Sequence, residues 1–257
     1  TTTPERHRIK ILIGIMMTPD KFRHRHFLRQ LYNVESGRIE DRARFDAKFV
    51  FCNITDEEHR LLISLEIMLY DDVIVLDCQE IVGGGGAGKT YAFFSGLPEM
   101  FPPYDYVMKI EDDVYFRLQN LAKSLETLPK SDLYYGRGVP CGALADDQYM
   151  SGVGYLVSWD IVEWISVADM PGKKNYTAEA EDKAFAEWIS DGDRGKNRYD
   201  VGYGIHDLPG SGSDCSSHEM WDGAVGVHGL DRENKWIDTL DYFNVTKGLE
   251  NTKMYHI

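Results

Sequence analysis

Glu111, Asp112 and Asp113 follow an apolar run directly, in the stretch 106–116 that reads YVMKIEDDVYF. Adjacent carboxylates repel one another and are strongly hydrated, so a buried strand that delivers three of them to its carboxyl end needs compensation. A divalent cation that prefers hard oxygen ligands, Mg2+ or Mn2+, supplies it, often while bridging substrate phosphates. The chemistry implied is a metal-assisted reaction on a phosphorylated compound. About one acidic triplet is also expected by chance in an acidic chain. Asp56, Glu57 and Glu58 form such a case, read as the solvated first turn of a helix. Position separates the two, because ligands of open α/β sheets gather at the carboxyl ends of strands.

A second stretch with chemical meaning is 83–90, GGGGAGKT, which satisfies the phosphate-binding pattern G-x-x-x-x-G-K-[ST]. On that reading backbone N–H groups would cradle a nucleotide's phosphates and Lys89 would reach the β and γ positions, as in a P-loop phosphotransferase. Against it, the preceding strand ends near Asp77, several residues too early, and Gly96 and Pro98 weaken the helix that would anchor the loop. Four successive glycines read better as a surface loop.

The elements that must position these groups alternate regularly in the first half. Apolar runs predict strands at 10–17, 48–52, 72–77 and 104–110. Phe22, Phe27, Leu28 and Leu31 give 21–32 helical spacing; Asp56 caps a helix over 56–70 whose apolar positions are Leu61, Leu62, Leu65, Ile67 and Leu69; a short helix covers 90–100. Such βαβ units imply a largely parallel sheet. The second half is less regular, with strands at 133–135, 152–157 and 224–227, helices at 159–167, 179–189 and 235–243, and a polar loop over 192–217. No repeat or domain boundary interrupts residues 1–257, which read as one domain.

A formal charge of −14 argues against a nucleic-acid partner, since no basic face offsets it. No apolar run approaches the roughly 20 residues that span a bilayer, and the polar segment 1–10 does not read as a signal peptide. The chain as given is therefore expected to be soluble, with an upstream anchor left open. Cys52, Cys78, Cys141 and Cys215 lack zinc-site spacing and permit either two disulfides or four thiols. Sequons at Asn53, Asn175 and Asn244, against about one expected by chance, favour a secretory compartment.

Motifs in a fixed order extend this reading over nearly the whole chain. Arg25, Leu28, Arg29 and Tyr32 follow R-x-x-I-R-x-x-W; Phe49-Val50-Phe51, Glu66, Tyr70-Asp71-Asp72 and Asp77 follow "FvFG…E…YgDil..D". The pair Lys89-Thr90 has a counterpart, 109–116 is similar to "K.DDDvfv", and Tyr149, Ser151, Gly152, Gly154 and Tyr155 are similar to "Y.SG.GY". Glu181-Asp182 matches the start of "EDV..G", and His228 a late histidine. In this the chain resembles the β-1,3-glycosyltransferases of glycosyltransferase family 31, the galactosyl-, N-acetylglucosaminyl- and Fringe-type enzymes of the Golgi.

The resemblance implies a GT-A fold: an α/β, Rossmann-like, mixed but mostly parallel sheet with flanking helices. It implies a single-pass type II membrane protein of the Golgi lumen in its full-length form. Its expected activity is inverting transfer of a hexose, galactose first and N-acetylglucosamine second, from a UDP-sugar to a glycan or glycoprotein hydroxyl, as a β-1,3 link. Mn2+ is the expected ion, with Mg2+ second. By carry-over Asp113 and His228 ligate it, while Glu111 and Asp112 face the donor's ribose and the ion's surroundings. Arg25, Arg29 and Lys89 join the donor-contacting set. Asp182 is the general base, with Glu181 second. Read without the family, His228 is a hydrogen-bonded core histidine in GAVGVHG, and Glu181-Asp182 a solvated helix start.

Trp221 is the expected acceptor contact, and a Cys141–Cys215 bridge beside the site is a hypothesis. Departures from the family pattern are Tyr32 for tryptophan, Glu111 for the first aspartate, Lys183 and Ala186 for valine and glycine, and Met150 for a frequent cysteine. The competing readings are a non-catalytic relative that binds a nucleotide sugar or glycan, and the P-loop phosphotransferase.

Overall fold

Strand β1 (Ile9–Met16) is buried at every position but Lys10, so it needs cover on both faces and takes the middle of a sheet. The computed structural model describes residues 8–79, 87–143, 148–169, 180–212 and 215–247. After β1 come α1 (Phe22–Gly37), β2 (Ala43–Phe51), α2 (Glu57–Tyr70), β3 (Val73–Val75), α3 (Ala87–Met100), β4 (Tyr106–Glu111), β5 (Val114–Phe116) and α4 (Leu118–Leu125). The chain continues with β6 (Leu133–Val139), β7 (Tyr149–Ser158), α5 (Trp159–Ala168), α6 (Glu181–Asp191), β8 (Asn197–Asp200), β9 (Ile205–Asp207), β10 (Gly226–His228) and α7 (Glu233–Tyr242).

The main sheet has the order β3-β2-β1-β4-β7-β6-β8. Its first four strands are parallel; β7 runs antiparallel to both β4 and β6. Alternation along β1 sends Ile11, Ile13 and Ile15 into one core and Leu12 and Met16 into the other. Between them Gly14 meets the Phe93 ring of α3 so closely that an added Cβ would lie 2.3 Å from Phe93 Cζ. A smaller sheet, β5-β10-β9, flanks the carboxyl edge of β4. There His228 pairs with Val114 on one side and with Asp207 on the other.

The expected strands and most helices are present, with shifted ends. Helix α1 runs on to Gly37 and β2 starts earlier, at Ala43, because polar residues such as Arg44 and Asp46 occupy solvent-facing positions. Helix α4, which the periodicity reading passes over, buries Leu118, Leu121, Ala122 and Leu125. The expected loop 192–217 contains β8 and β9. Helix α2 is capped by Asp56 as expected, its side chain accepting from the His59 N–H at 2.8 Å. The facing of α2 is corrected: Leu61, Leu65 and Leu69 are exposed, while Ile63 and Glu66 are buried. Arg25 and Arg29 draw Glu66 inward.

Disulfides join Cys52 to Cys78 and Cys141 to Cys215. The second is the hypothesised bridge. No helix among the described residues is long and apolar enough to cross a membrane. The Gly83–Gly86 part of the glycine loop, the Asn175 sequon and Glu179 lie outside the described residues.

Candidate active site

Hydrogen bonding of the two sheets joins the end of β4 to the end of β10. Beyond the His228–Val114 pair, Leu230 N–H donates to the Asp113 carbonyl at 3.0 Å, which holds the main chains of 113 and 228–230 side by side. The side chains converge: His228 Nε2 stands 3.4 Å from Asp113 Oδ1. The other two acids of the triplet have different partners. Asp112 accepts from Lys21 Nζ at 2.6 Å, and its carbonyl lies 2.6 Å from His24 Nε2. Glu111 accepts from Lys109.

On the far side of the ring, His228 Nδ1 lies 2.5 Å from Asp207 Oδ1. Asp207 is buried, and it also accepts from Ser216 Oγ and pairs with Arg137 Nη1 at 3.2 Å. Arg137 Nη2 continues to Ser151 Oγ at 3.1 Å. Burial disfavours the His228 imidazolium, but the two carboxylates outweigh it and lift its pKa from 6.5 to about 9. Asp113 and Asp207 are in turn held below the usual carboxylate range, burial opposing and the bond to His228 prevailing. The Cys141–Cys215 bridge ties the segment just after β6, which carries Arg137, to the segment that carries Ser216.

A second carboxylate reaches the same edge from α6. Gly154 of β7 pairs with Ile110, so Gly152 lies at the end of the sheet where β4 delivers its acids. The Gly152 N–H donates to Asp182 Oδ2 at 2.7 Å, and the Lys183 N–H to Asp182 Oδ1 at 2.9 Å. Burial raises the Asp182 pKa, with Glu181 adding to it and the Gly152 bond opposing. A carboxylate shifted this way is a better proton acceptor near neutral pH. Glu181 is held differently: it accepts from Tyr155 Oη at 2.6 Å and from the buried Lys109 Nζ at 2.9 Å. Both Asp182 oxygens meet backbone N–H groups, whereas those of Glu181 meet a phenol and a buried ammonium.

Arg25 and Arg29, expected to contact the donor, are held by carboxylates of the protein. Arg25 is fully buried, its Nη2 donates to Glu66 at 2.6 Å, and its Nη1 donates to the Pro19 carbonyl at 3.2 Å. Arg29 bonds Glu66 at 2.7 Å and Asp72 at 2.5 Å. Arg25 braces the loop after β1, and both guanidiniums are engaged by buried carboxylates. Lys89 donates to the Met17 carbonyl at 2.8 Å, which ties the start of α3 to the end of β1. The strand before the glycines, β3, is an edge strand that ends at Val75, which removes the strand–loop junction a P-loop requires. Trp221 is exposed beside His218, with its indole N–H 3.4 Å from the Tyr203 carbonyl.

A cavity of about 570 Å³ opens beside Asp112 and Asp113. Phe27, Trp236 and Leu240 line its apolar part; Lys21, Arg23 and Arg232 bring positive charge, and Asp231 and Glu233 join Asp112 and Asp113 in bringing negative charge. Among the described residues no group of three or more His, Cys, Asp or Glu is arranged to hold a metal ion. Asp113 and His228 offer one oxygen and one nitrogen toward a common point, a donor set that suits Mn2+. An ion there would need further oxygens, of the kind a diphosphate supplies. Asp207, Arg137 and Lys109 are the residues of the site whose roles the sequence did not disclose. The buried histidine's need for a partner was the only signal pointing to Asp207.

Residues 23–147 match the family model described as Galactosyltransferase. "Probable beta-1,3-galactosyltransferase 13" of Arabidopsis thaliana is 27% identical over 122 residues, covering 46% of this chain and 35% of that protein. "Beta-1,3-galactosyltransferase pvg3" of Schizosaccharomyces pombe is 24% identical over 206 residues, 59% of this chain and 53% of the relative. The chain thus spans between a third and about half the length of these curated relatives. Among solved structures, the galactosyltransferase LgtC in complex with donor and acceptor sugar analogs superposes with a TM-score of 0.53 at 12% identity, covering 95% of this chain and 98% of that one. A glycosyltransferase involved in glycosylation of the major capsid of PBCV-1 gives 0.53 at 15% identity, covering 91% and 98%. The fold is therefore GT-A, as the resemblance implied.

Proposed function

From a chain that is a relative of the family 31 galactosyltransferases, we propose an inverting, metal-dependent hexosyltransferase that uses a UDP-sugar. The observation that carries this reading is the convergence of Asp113 and His228, 113 and 228 residues along the chain, at 3.4 Å on the carboxyl edge of the sheet. Galactose is the favoured donor sugar, N-acetylglucosamine the second, and a glycan hydroxyl the acceptor, joined in a β-1,3 link. The names of the relatives support galactose and that linkage.

Asp113 and His228 would hold Mn2+, with Mg2+ second. When bound, the ion neutralises the diphosphate and so stabilises charge as UDP leaves. Lys21, Arg23 and Arg232 line the adjacent cavity as candidate diphosphate contacts, alongside Asp231 and Glu233. Asp112, paired with Lys21, fixes that ammonium at the cavity mouth. Inversion requires attack from the face opposite UDP, with the acceptor hydroxyl losing its proton as the bond forms. Asp182 takes that proton; its two backbone bonds orient the carboxylate, and burial raises its basicity. Trp221 offers an exposed apolar face for the acceptor sugar.

The compartment we propose is the oxidising lumen of the secretory route, the Golgi in the first instance. Two disulfides support this, since such bonds persist in oxidising compartments.

Transfer assays over a UDP-sugar panel, with Mn2+ or with EDTA, test the proposal. Release of UDP and a β-linked product from UDP-galactose, lost in EDTA, is the expected result. A thermal-shift screen separates the alternatives: UDP with Mn2+ raises Tm for the transferase, ATP with Mg2+ does so for a phosphotransferase, and neither does for a scaffold. Stabilisation by UDP and Mn2+ without transfer to any acceptor would favour the non-catalytic relative.

A further inference from the structure

Asp207 is buried at 3% exposure, yet its carboxylate does not simply close a structural ion pair. Its Oδ1 lies 2.5 Å from His228 Nδ1, and the opposite ring nitrogen, Nε2, is the one that faces Asp113. Arg137, Ser216 and the backbone then fix the carboxylate itself. Arg137 Nη1 stands 3.2 Å away, Ser216 Oγ donates to Oδ2, and β9 pairs with β10 at Asp207 and His228. A carboxylate so restrained holds one ring orientation and, once an ion displaces the Nε2 proton, favours the tautomer with Nδ1 protonated.

We infer that Asp207 is the positioning residue of the metal centre: it aims His228 Nε2 at the point shared with Asp113. This rests on the metal-dependent reading given above and deepens it. Asp207 itself does not ligate. The role differs from mere packing because the geometry is specific to one ring nitrogen. The same carboxylate connects through Arg137 to Ser151, whose neighbour Gly152 orients Asp182.

The test is Mn2+ affinity, measured by electron paramagnetic resonance or calorimetry without donor or acceptor, for the wild type and for Asp207→Asn. Wild type should bind Mn2+, and the variant should bind about 10–100-fold more weakly while remaining folded by circular dichroism. A folded variant of unchanged Mn2+ affinity overturns the positioning role and leaves the metal reading standing. A wild type that binds no Mn2+ overturns both. Should the variant fail to fold, the nitrogen spectrum of histidine in the Zn2+-loaded wild type decides. A protonated Nδ1 and a metal-bound Nε2 at His228 support the role; metal on Nδ1, or no metal on His228, removes it.

Discussion

Lys109 Nζ and Glu181 Oε2 stand 2.9 Å apart inside the protein, linking the strand that carries the acidic triplet to the helix that carries Asp182. Burial disfavours the ammonium, but Glu111 and Glu181 outweigh it and hold its pKa above the usual lysine value. Lys109 also donates to the Gly152 carbonyl at 3.0 Å, while the Gly152 N–H serves Asp182. One buried cation thus sets the distance between the two halves of the site.

Replacing that cation should be costly. Lys109→Met leaves Glu181 without its ionic partner, and breaking a buried pair costs about 3–5 kcal/mol. An unfolding free energy from chemical denaturation lowered by that amount is the expected result; wild-type stability would show the pair to be dispensable.

Asp182 and Glu181 should separate in kinetics despite being neighbours. Asp182→Asn should lower kcat about 10²–10⁴-fold while leaving UDP and Mn2+ binding in place. Glu181→Gln should mainly reduce stability. Steady-state kinetics and isothermal titration on both variants check this, and near-normal transfer by Asp182→Asn would disprove the base assignment.

Metal affinity should rise with pH. His228 has a folded pKa of about 9, raised from 6.5 by Asp113 and Asp207, so in the metal-free protein an ion must displace its proton. Mn2+ binding should release about one proton below that value, and log Kd should fall by about one per pH unit as pH rises toward it. The same shift stabilises the metal-free fold. Its contribution is fully present below pH 6.5 and is lost as pH rises through about 9. Calorimetry in buffers of different ionisation enthalpy counts the protons.

Glu66 should be a stability residue rather than a catalytic one. Glu66→Leu strips both Arg25 and Arg29 of a buried carboxylate, for about 3–5 kcal/mol. In a domain of this size that lowers Tm by about 6–20 °C. A melt within a degree of wild type would refute it.

Local sequence determined the scaffold. Continuous apolar runs placed β1 and β4, the Asp56 cap started α2, and the position of Glu111, Asp112 and Asp113 after a core strand named the candidate edge. These are local properties, written in periodicity and in the chemistry of caps and strand ends. Motif order added Asp182 and His228 as candidates without saying what they touch.

Tertiary structure decided the partners. Whether a buried arginine meets a ligand or Glu66, whether Glu181 faces solvent or Lys109, and which carboxylate stands behind His228 all depend on strand register and helix docking between segments far apart in the chain. β9 pairs with β10 over only three residues, too short a stretch for periodicity to reveal, and a slip of one residue would turn Asp207 to the opposite face. Long-range pairing fixed that register, and with it which ring nitrogen faces Asp113.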